Sequence, residues 1–344
     1  MKRSAINNGL RILLTLLLTL SLFTVTVHAA TPTDIWIESP RNFTKASDVE
    51  YVTNGDLVAN WGIRGEHATF LTDYAVDYYA GACSYENLLA YKGSANIKDT
   101  PSSPLYNALS DMMNAKASST TTYAETRDLF KYTDCMANDY SHISSFYSGI
   151  KLNGKWDGAQ TWNREHTWPD SKIDGRQETD IMMLRPSCVR ENSDRGNSAY
   201  GESLGYYDPN SASNGRFNLH GDCARIVLYT YVRWGVTDTM WGSKGVIENL
   251  DVLLKWMAED PVDTWEMGRN DAVQSITGVR NVFVDYPELS WLLFDREIPS
   301  GYISPSGRTV TATQNEHGSN ADQRRSKQRE PEGRVVFIAR GHRS

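Results

Sequence analysis

Thr161-Trp162-Asn163-Arg164-Glu165-His166-Thr167-Trp168-Pro169 is the stretch on which the reading of this chain turns. Between the apolar N-terminus and the polar C-terminus the chain holds four histidines, His67, His142, His166 and His220. His166 directly follows Arg164-Glu165 and is held between Trp162 on one side and Trp168-Pro169 on the other. In an extended segment Glu165 and His166 point to opposite faces, so they serve one centre only where the backbone bends. The Glu-His order differs from the helical HExxH of zinc proteases, and that motif is absent.

The next informative stretch runs from Thr179 through Leu184-Arg185-Pro186-Ser187-Cys188 to Asn192-Ser193-Asp194-Arg195-Gly196-Asn197. Ser187 is expected to cap a helix opening with Cys188-Val189-Arg190. Asn192 and Arg195, spaced i, i+3, share one face of it. An Asn amide oxygen is a hard donor and suits Mg²⁺ better than zinc.

Apolar spacing lays helices around this centre. Helical spacing runs through Phe70–Leu89, and Leu105, Leu109, Met112 and Met113 form one apolar face. Residues 150–163 read as loop and strand. A helix is expected over Asp222–Trp234, with Asp222 as N-cap and Gly235 as its stop. Another is expected over Val246–Ala258 ahead of Pro261. A last one opens on the capping pair Asp263/Glu266 and ends at Gly278. His220 reads as a helix-start or core partner and Arg225 as half of an ion pair. No internal repeat interrupts the series.

The ends differ from the body. Lys2, Arg3 and Arg11 accompany an apolar run over Ile12–Phe23, and Val27-His28-Ala29 offers a small-residue cleavage site. Residues 1–29 therefore read as a secretory signal. The run is short for a membrane span. Residues 30–69 are a turn-rich lead-in, 70–303 a catalytic body, and 304–344 a polar tail too poor in apolar residues to order itself. The formal charge is −7, from 35 basic and 42 acidic residues. The first 29 residues carry +3 and residues 308–344 carry +4, leaving the body near −14. A general basic coat for nucleic acid is excluded, so a polyanion must be held by a few placed cations or a metal ion. Four cysteines, Cys83, Cys135, Cys188 and Cys223, contain no CxxC or zinc-finger spacing. In an exported chain they predict two disulfides, with three pairings open.

With these motifs in order, the chain resembles the endonuclease I family of secreted nucleases, of the ββα-metal or His-Me finger superfamily. The resemblance rests on Asn163–Pro169, on Leu184–Ser187 with Asn192–Asn197, and on Gly221-Asp222-x-Ala224-Arg225. It extends through Trp256 with Asp260-Pro261, Arg269-Asn270, and Arg280-Asn281-x-Phe283-x-Asp285-x-Pro287, covering roughly residues 70–295. It implies an α+β fold, mainly helical, around a small two-strand-plus-helix catalytic element. It also implies a metal-dependent hydrolysis of phosphodiester bonds in DNA and/or RNA with little sequence specificity. His166 would be the general base, and Glu165 and Asn192 the protein ligands of one Mg²⁺, with Mn²⁺ or Ca²⁺ as substitutes. Arg185 or Arg195 would clamp a phosphate oxygen through its planar fork, unless either is structural.

Cys188 and Cys223, both at expected helix starts beside family motifs, would form one disulfide, and Cys83 and Cys135 the other. These two helix-start cysteines and the Gly/Ser/Asn/Tyr-rich stretch 199–216 depart from the family pattern. The expected partner is a nucleic acid substrate, with no membrane contact after signal removal and no obligate protein partner. Export, 18 Tyr and 10 Trp, and acidic charge also suit a carbohydrate-active protein, either a glycosidase with paired carboxylates or a binding module. That reading has no use for the Glu165-His166 and Asn192 constellation.

Overall fold

The computed structural model describes residues 65, 67–90, 103–118, 120–136, 139–173, 175, 177–213, 217–235 and 240–307. The expected signal, nearly all of the lead-in, and the tail from 308 on lie outside them. The fold is α+β, with helices forming most of the body and two small antiparallel sheets set among them.

The first helical region is two short helices, α1 (Asp73–Tyr78) and α2 (Tyr85–Ala90). Gly81 takes a positive φ of 65° between them, which a single helix cannot accommodate. In α3 (Pro104–Lys116) the four residues expected on one face, Leu105, Leu109, Met112 and Met113, are all buried. Helix α4 (Tyr123–Thr133) opens on a capping box. Thr122 Oγ1 accepts from the Glu125 amide, and Glu125 accepts from the Thr122 amide at 2.8 Å.

Strands β1 (Cys135–Met136), β2 (Asp139–Ser144) and β3 (Lys151–Asn153) then form an antiparallel meander. Strand β4 (Trp162–His166) pairs antiparallel with β5 (Leu184–Cys188), Trp162 opposite Cys188 and His166 opposite Leu184. Helix α5 (Val189–Arg195) follows at once. Its N-cap is Cys188, the last residue of β5, so the expected cap Ser187 lies one residue too early.

Helix α6 (His220–Trp234) crosses the centre of the body. It begins two residues earlier than expected, with Leu219 as N-cap, so Asp222 lies buried inside the first turn rather than at the cap position. Gly235 ends it in the left-handed region. Helix α7 (Leu250–Glu259) is shorter than expected. Val246 and Ile247 enter backbone bridges with Tyr200, Trp241 and Met240, and Asn249 caps the helix instead. Helix α8 (Thr264–Thr277) has the expected Asp263/Glu266 capping box and Gly278 stop. Two short helices, α9 (Val282–Asp285) and α10 (Leu289–Leu293), close the body. The chain stays anchored beyond residue 303, since Ser304 and Ser306 both hydrogen-bond Glu288, at 2.6 and 2.9 Å. Most of the buried apolar side chains form one continuous core built on α3, α6, α7 and the inner strand faces. Among the described residues no helix is long and apolar enough to cross a membrane.

All four cysteines are free thiols, which corrects the expectation of two disulfides. Cys223 is enclosed in α6, where its thiol faces Tyr200, Arg195 and Glu165. The Cys188 thiol is directed at Glu191 instead. Cys135 packs with Ala272 and Tyr132 rather than toward Cys83. Starting a helix fixes where a backbone lies, and the side-chain directions decide whether two sulfurs meet.

Candidate active site

The alternation of β4 sorts its side chains. Asn163 and Glu165 lie on the face that α5 covers, whereas Arg164 and His166 face α4. Helix α5 is fixed there by its own side chains. The Asn192 amide nitrogen donates to Asn163 Oδ1 and to the Arg164 carbonyl, and Arg195 pairs with Glu165. The i, i+3 spacing of Asn192 and Arg195 thus does place both against one strand.

Glu165 is 1 % exposed. Its Oε1 accepts from the Tyr147 hydroxyl at 2.6 Å and lies 3.3 Å from Arg195 Nη1. The Tyr147 hydroxyl also meets that of Tyr200 at 2.7 Å. Burial pushes the Glu165 carboxyl up from its usual range, against the opposing pull of Arg195 and Tyr147. Arg195 spends its fork on the chain itself: Nη1 donates to the His166 carbonyl at 2.8 Å, and Nη2 to the Thr167 carbonyl at 2.7 Å. Its guanidinium lies 4.7 Å from the Tyr200 ring centre.

His166 ends β4 with its ring stacked on Tyr123, 5.7 Å between centroids. The ring is hydrogen-bonded to the backbone of Glu178, while Nε2 is buried with no hydrogen-bond partner. The bond to Glu178 therefore falls on Nδ1. A backbone carbonyl fixes that nitrogen as donor and leaves Nε2 as the basic atom. Burial draws the imidazole below its usual value, against Asp170 and the Glu178 backbone. The neutral, proton-accepting form is thereby favoured. The Asp170 carboxylate stands 3.8 Å from Nε2, beyond hydrogen-bond reach.

The loop that carries Glu178 is tied down from α6. Asp180 accepts from the Tyr229 hydroxyl, Arg233 and the Trp234 indole at 2.7–2.9 Å. Thr121 adds a bond to the Thr179 carbonyl at 2.6 Å. Arg269 grips the entry to β5 through the carbonyls of Ile181, Met182 and Leu184. Arg185 is buried beside Asp134 at 3.1 Å, between the rings of Phe146 and Trp265.

Of the expected site residues, Glu165, Asn192 and Arg195 come together across the β4–α5 contact, and His166 stands at the strand end. Arg185 is not with them. Neither arginine fits the expected phosphate clamp, because both are 2 % exposed or less and their guanidinium groups face internal partners. Tyr147, Tyr200, Asp180 and the Glu178 backbone complete the centre without any spacing signal in the sequence. His220 stacks on Trp256 at 4.2 Å and meets Asp208 at 2.9 Å, and Arg225 forms a two-pronged pair with Glu266.

Two places offer ligands for a cation. Among the described residues, Glu202, His220 and Glu259 bring one donor atom each within 4.8 Å of one another. There Glu202 already carries the Lys255 ammonium at 2.8 Å and the Trp256 indole. At the β4–α5 contact the Asn192 amide nitrogen is committed to two acceptors, which leaves its oxygen as the group a cation could use. Glu165 makes both of its contacts through Oε1, and its second oxygen makes no hydrogen bond. Two hard oxygens of this kind suit Mg²⁺.

The Endonuclease I family model matches residues 101–218 and 214–288. This chain belongs to the endonuclease I family. The extracellular ribonuclease of Bacillus subtilis (strain 168) is 32 % identical over 190 residues, 48 % of this chain and 66 % of that protein. The extracellular ribonuclease of Bacillus amyloliquefaciens is 37 % identical over 149 residues, 37 % of this chain and 52 % of that protein. The matched parts thus span between half and two thirds of these relatives. Both matches support the nuclease expectation over the carbohydrate-active one.

Proposed function

We propose that this member of the endonuclease I family is an exported, metal-dependent nuclease that hydrolyses phosphodiester bonds of RNA and/or DNA with little sequence specificity. In this reading β4, β5 and α5 are its His-Me finger. The observation that carries the proposal is His166, a buried imidazole with Nδ1 held by a backbone carbonyl and Nε2 unpartnered. Such a ring is poised to take a proton from an attacking water.

Glu165, through the oxygen that Tyr147 and Arg195 leave open, and Asn192, through its amide oxygen, would hold one Mg²⁺. When bound, the ion supplies positive charge for the phosphate oxygens and the departing O3′. Tyr147 and Arg195 orient the Glu165 carboxylate, Asn163 orients the Asn192 amide, and Arg195 holds the strand end through the His166 carbonyl. Arg185 and Arg195 are positioning residues in this scheme. The acidic body makes a placed cation, rather than a general field, the natural partner of a polyanion. Export agrees with the N-terminal pattern of residues 1–29 and with the extracellular relatives.

The test is a gel assay containing RNA or DNA, run with Mg²⁺ and with chelator, on wild type and His166→Ala. Activity should depend on the ion. His166→Ala should stay folded and lose about 10²–10⁴-fold in turnover. Asn192→Ala should need more Mg²⁺ for half-maximal rate. Near-normal cleavage by His166→Ala, or full activity in chelator, refutes the proposal.

A further inference from the structure

On the α4 side of β4, cationic and aromatic groups alternate outward from His166. Two periodicities produce the row. Arg164 and His166 are two apart on a strand, and Tyr123 and Arg127 are four apart on α4, so each pair shares a face. Trp156, from the loop between β3 and β4, completes it. The His166 ring stacks on Tyr123, and the Arg164 guanidinium lies 3.5 Å from the Tyr123 ring centre and 5.1 Å from that of Trp156. Arg127 follows, 5.8 Å from the Trp156 ring. Trp156 is braced edge-on by the buried Trp162, at 4.9 Å.

Two donors along this row, Arg164 Nε and Arg127 Nε, are buried and have no hydrogen-bond partner, and the row ends at the unpartnered acceptor His166 Nε2. Buried donors in native proteins are nearly always paired. Leaving one unmet costs about 1–3 kcal/mol. Two such donors on one surface point to a ligand that brings oxygens. Asp170 stands 3.8 Å from His166 Nε2, too far for a hydrogen bond, and two other carboxylates of these segments are engaged locally. Glu125 is taken by Thr122 in the capping box, and Asp157 by the amides of Gln160 and Thr161. Asp128 lies 3.9 Å from Arg127, outside hydrogen-bond distance.

We infer that the row Tyr123–Arg164–Trp156–Arg127 is a track for a single strand of nucleic acid leading to His166, with a base stacked at Trp156 and phosphates at the two arginines. This deepens the nuclease reading above and rests on it. A strand alternates flat bases and anionic phosphates, and the row alternates rings and guanidinium groups. In a duplex the base faces are stacked on one another and unavailable, so the row distinguishes unpaired strands from paired ones. Stacking is indifferent to the identity of the base and to the sugar, in keeping with low sequence specificity.

The test measures binding, not cleavage, in the His166→Ala background with Ca²⁺, by quenching of tryptophan fluorescence. The probes are a short oligoadenylate, as RNA and as DNA, and a perfectly paired hairpin. Trp156→Ala should weaken binding of both single strands by about 5–150-fold, the value of one stacked base, and change hairpin binding little. Trp156→Phe should restore most of the affinity, and thermal melting checks that each variant folds. Arg127→Gln, on a partly exposed side chain without a hydrogen bond, should flatten the log–log salt slope for single strands by about 0.7.

Equal loss on hairpin and single strands overturns the track, as does loss confined to one sugar or no loss in folded Trp156 and Arg127 variants. Hydrolysis of all probes by the otherwise wild-type protein in those cases leaves the nuclease reading standing. Failure of the wild type both to bind and to cleave any probe removes both.

Discussion

Arg195 is the residue whose removal should be most informative. It is 1 % exposed and joins Glu165 to the carbonyls of His166 and Thr167. Arg195→Met keeps much of the volume and removes the guanidinium. The change leaves Glu165 buried with only the Tyr147 hydroxyl on Oε1, and two carbonyls lose a donor. Breaking one side of a buried pair costs about 3–5 kcal/mol, and each carbonyl left unmet adds about 1–3 kcal/mol. That is a large share of a stability of about 5–15 kcal/mol. In the background of Glu165→Gln no charge is stranded, so the same change should cost at least about 2 kcal/mol less. Urea unfolding at pH 8 of the wild type, both single variants and the double variant measures the coupling. Arg195→Lys should not rescue hydrolysis in the folded fraction, because one compact ammonium cannot match the two-pronged grip on successive carbonyls. A cost below about 1 kcal/mol for Arg195→Met, or equal costs in the two backgrounds, would refute the reasoning.

Three further outcomes are expected. Burial, reinforced by Asp222, pushes Asp260 up to about 7, so between pH 4 and 7 the folded chain holds a proton that the unfolded chain has released. Stability from this group is fully present below pH 4 and is lost as pH rises through 7. Asp260→Asn should therefore raise the melting temperature at pH 8 and leave it unchanged near pH 4, and a pH-independent effect contradicts the assignment. At Gly278, φ is +78° and an added Cβ would lie 2.4 Å from the Lys116 carbonyl oxygen. Gly278→Ala should lower stability by more than about 1 kcal/mol in a denaturant titration, whereas Gly205→Ala, with a positive φ and open space, should cost less. Thiol titration should count four free groups in denaturant, with Cys83 and Cys188 reacting in the native protein and Cys135 and Cys223 only on unfolding. Fewer than four would restore a disulfide.

Much of the helical frame was legible because its signals are local. The apolar face of α3, the Asp263/Glu266 box and the Gly235 and Gly278 stops each depend on residues a turn apart. Helix starts were less legible where the cap carries no side-chain bond. Asp222 reads as a cap and Leu219 takes that position, with the His220 amide held by Asn218 and the Gly221 amide by the distant Asp260. In the site, the Glu165-His166 pair and Asn192 stood out as residue types, and strand alternation correctly set the first two on opposite faces. Tyr147, Tyr200 and Asp180 left no trace, because their roles come from contacts between positions tens of residues apart. The same limit explains the two arginines. A guanidinium that clamps phosphate and one that ties down carbonyls are the same letter, and only burial separates them. The thiols repeat the lesson, with backbone proximity inferred and side-chain direction unseen.

The layer beneath β4 also bears on how this catalytic element can be moved between proteins. Residues 161–197 form a contiguous cassette of strand, connection, strand and helix, and a grafting experiment would naturally cut there. Its buried carboxylate, however, is clasped partly from outside the cassette. Tyr147 arrives from before it, and Tyr200, which braces both Tyr147 and Arg195, from after it. A transplant that leaves these two phenols behind installs an ion pair with an unfinished socket. The transferable unit begins no later than Tyr147 and ends no earlier than Tyr200, and the functional module is wider than the segment that bears its motifs.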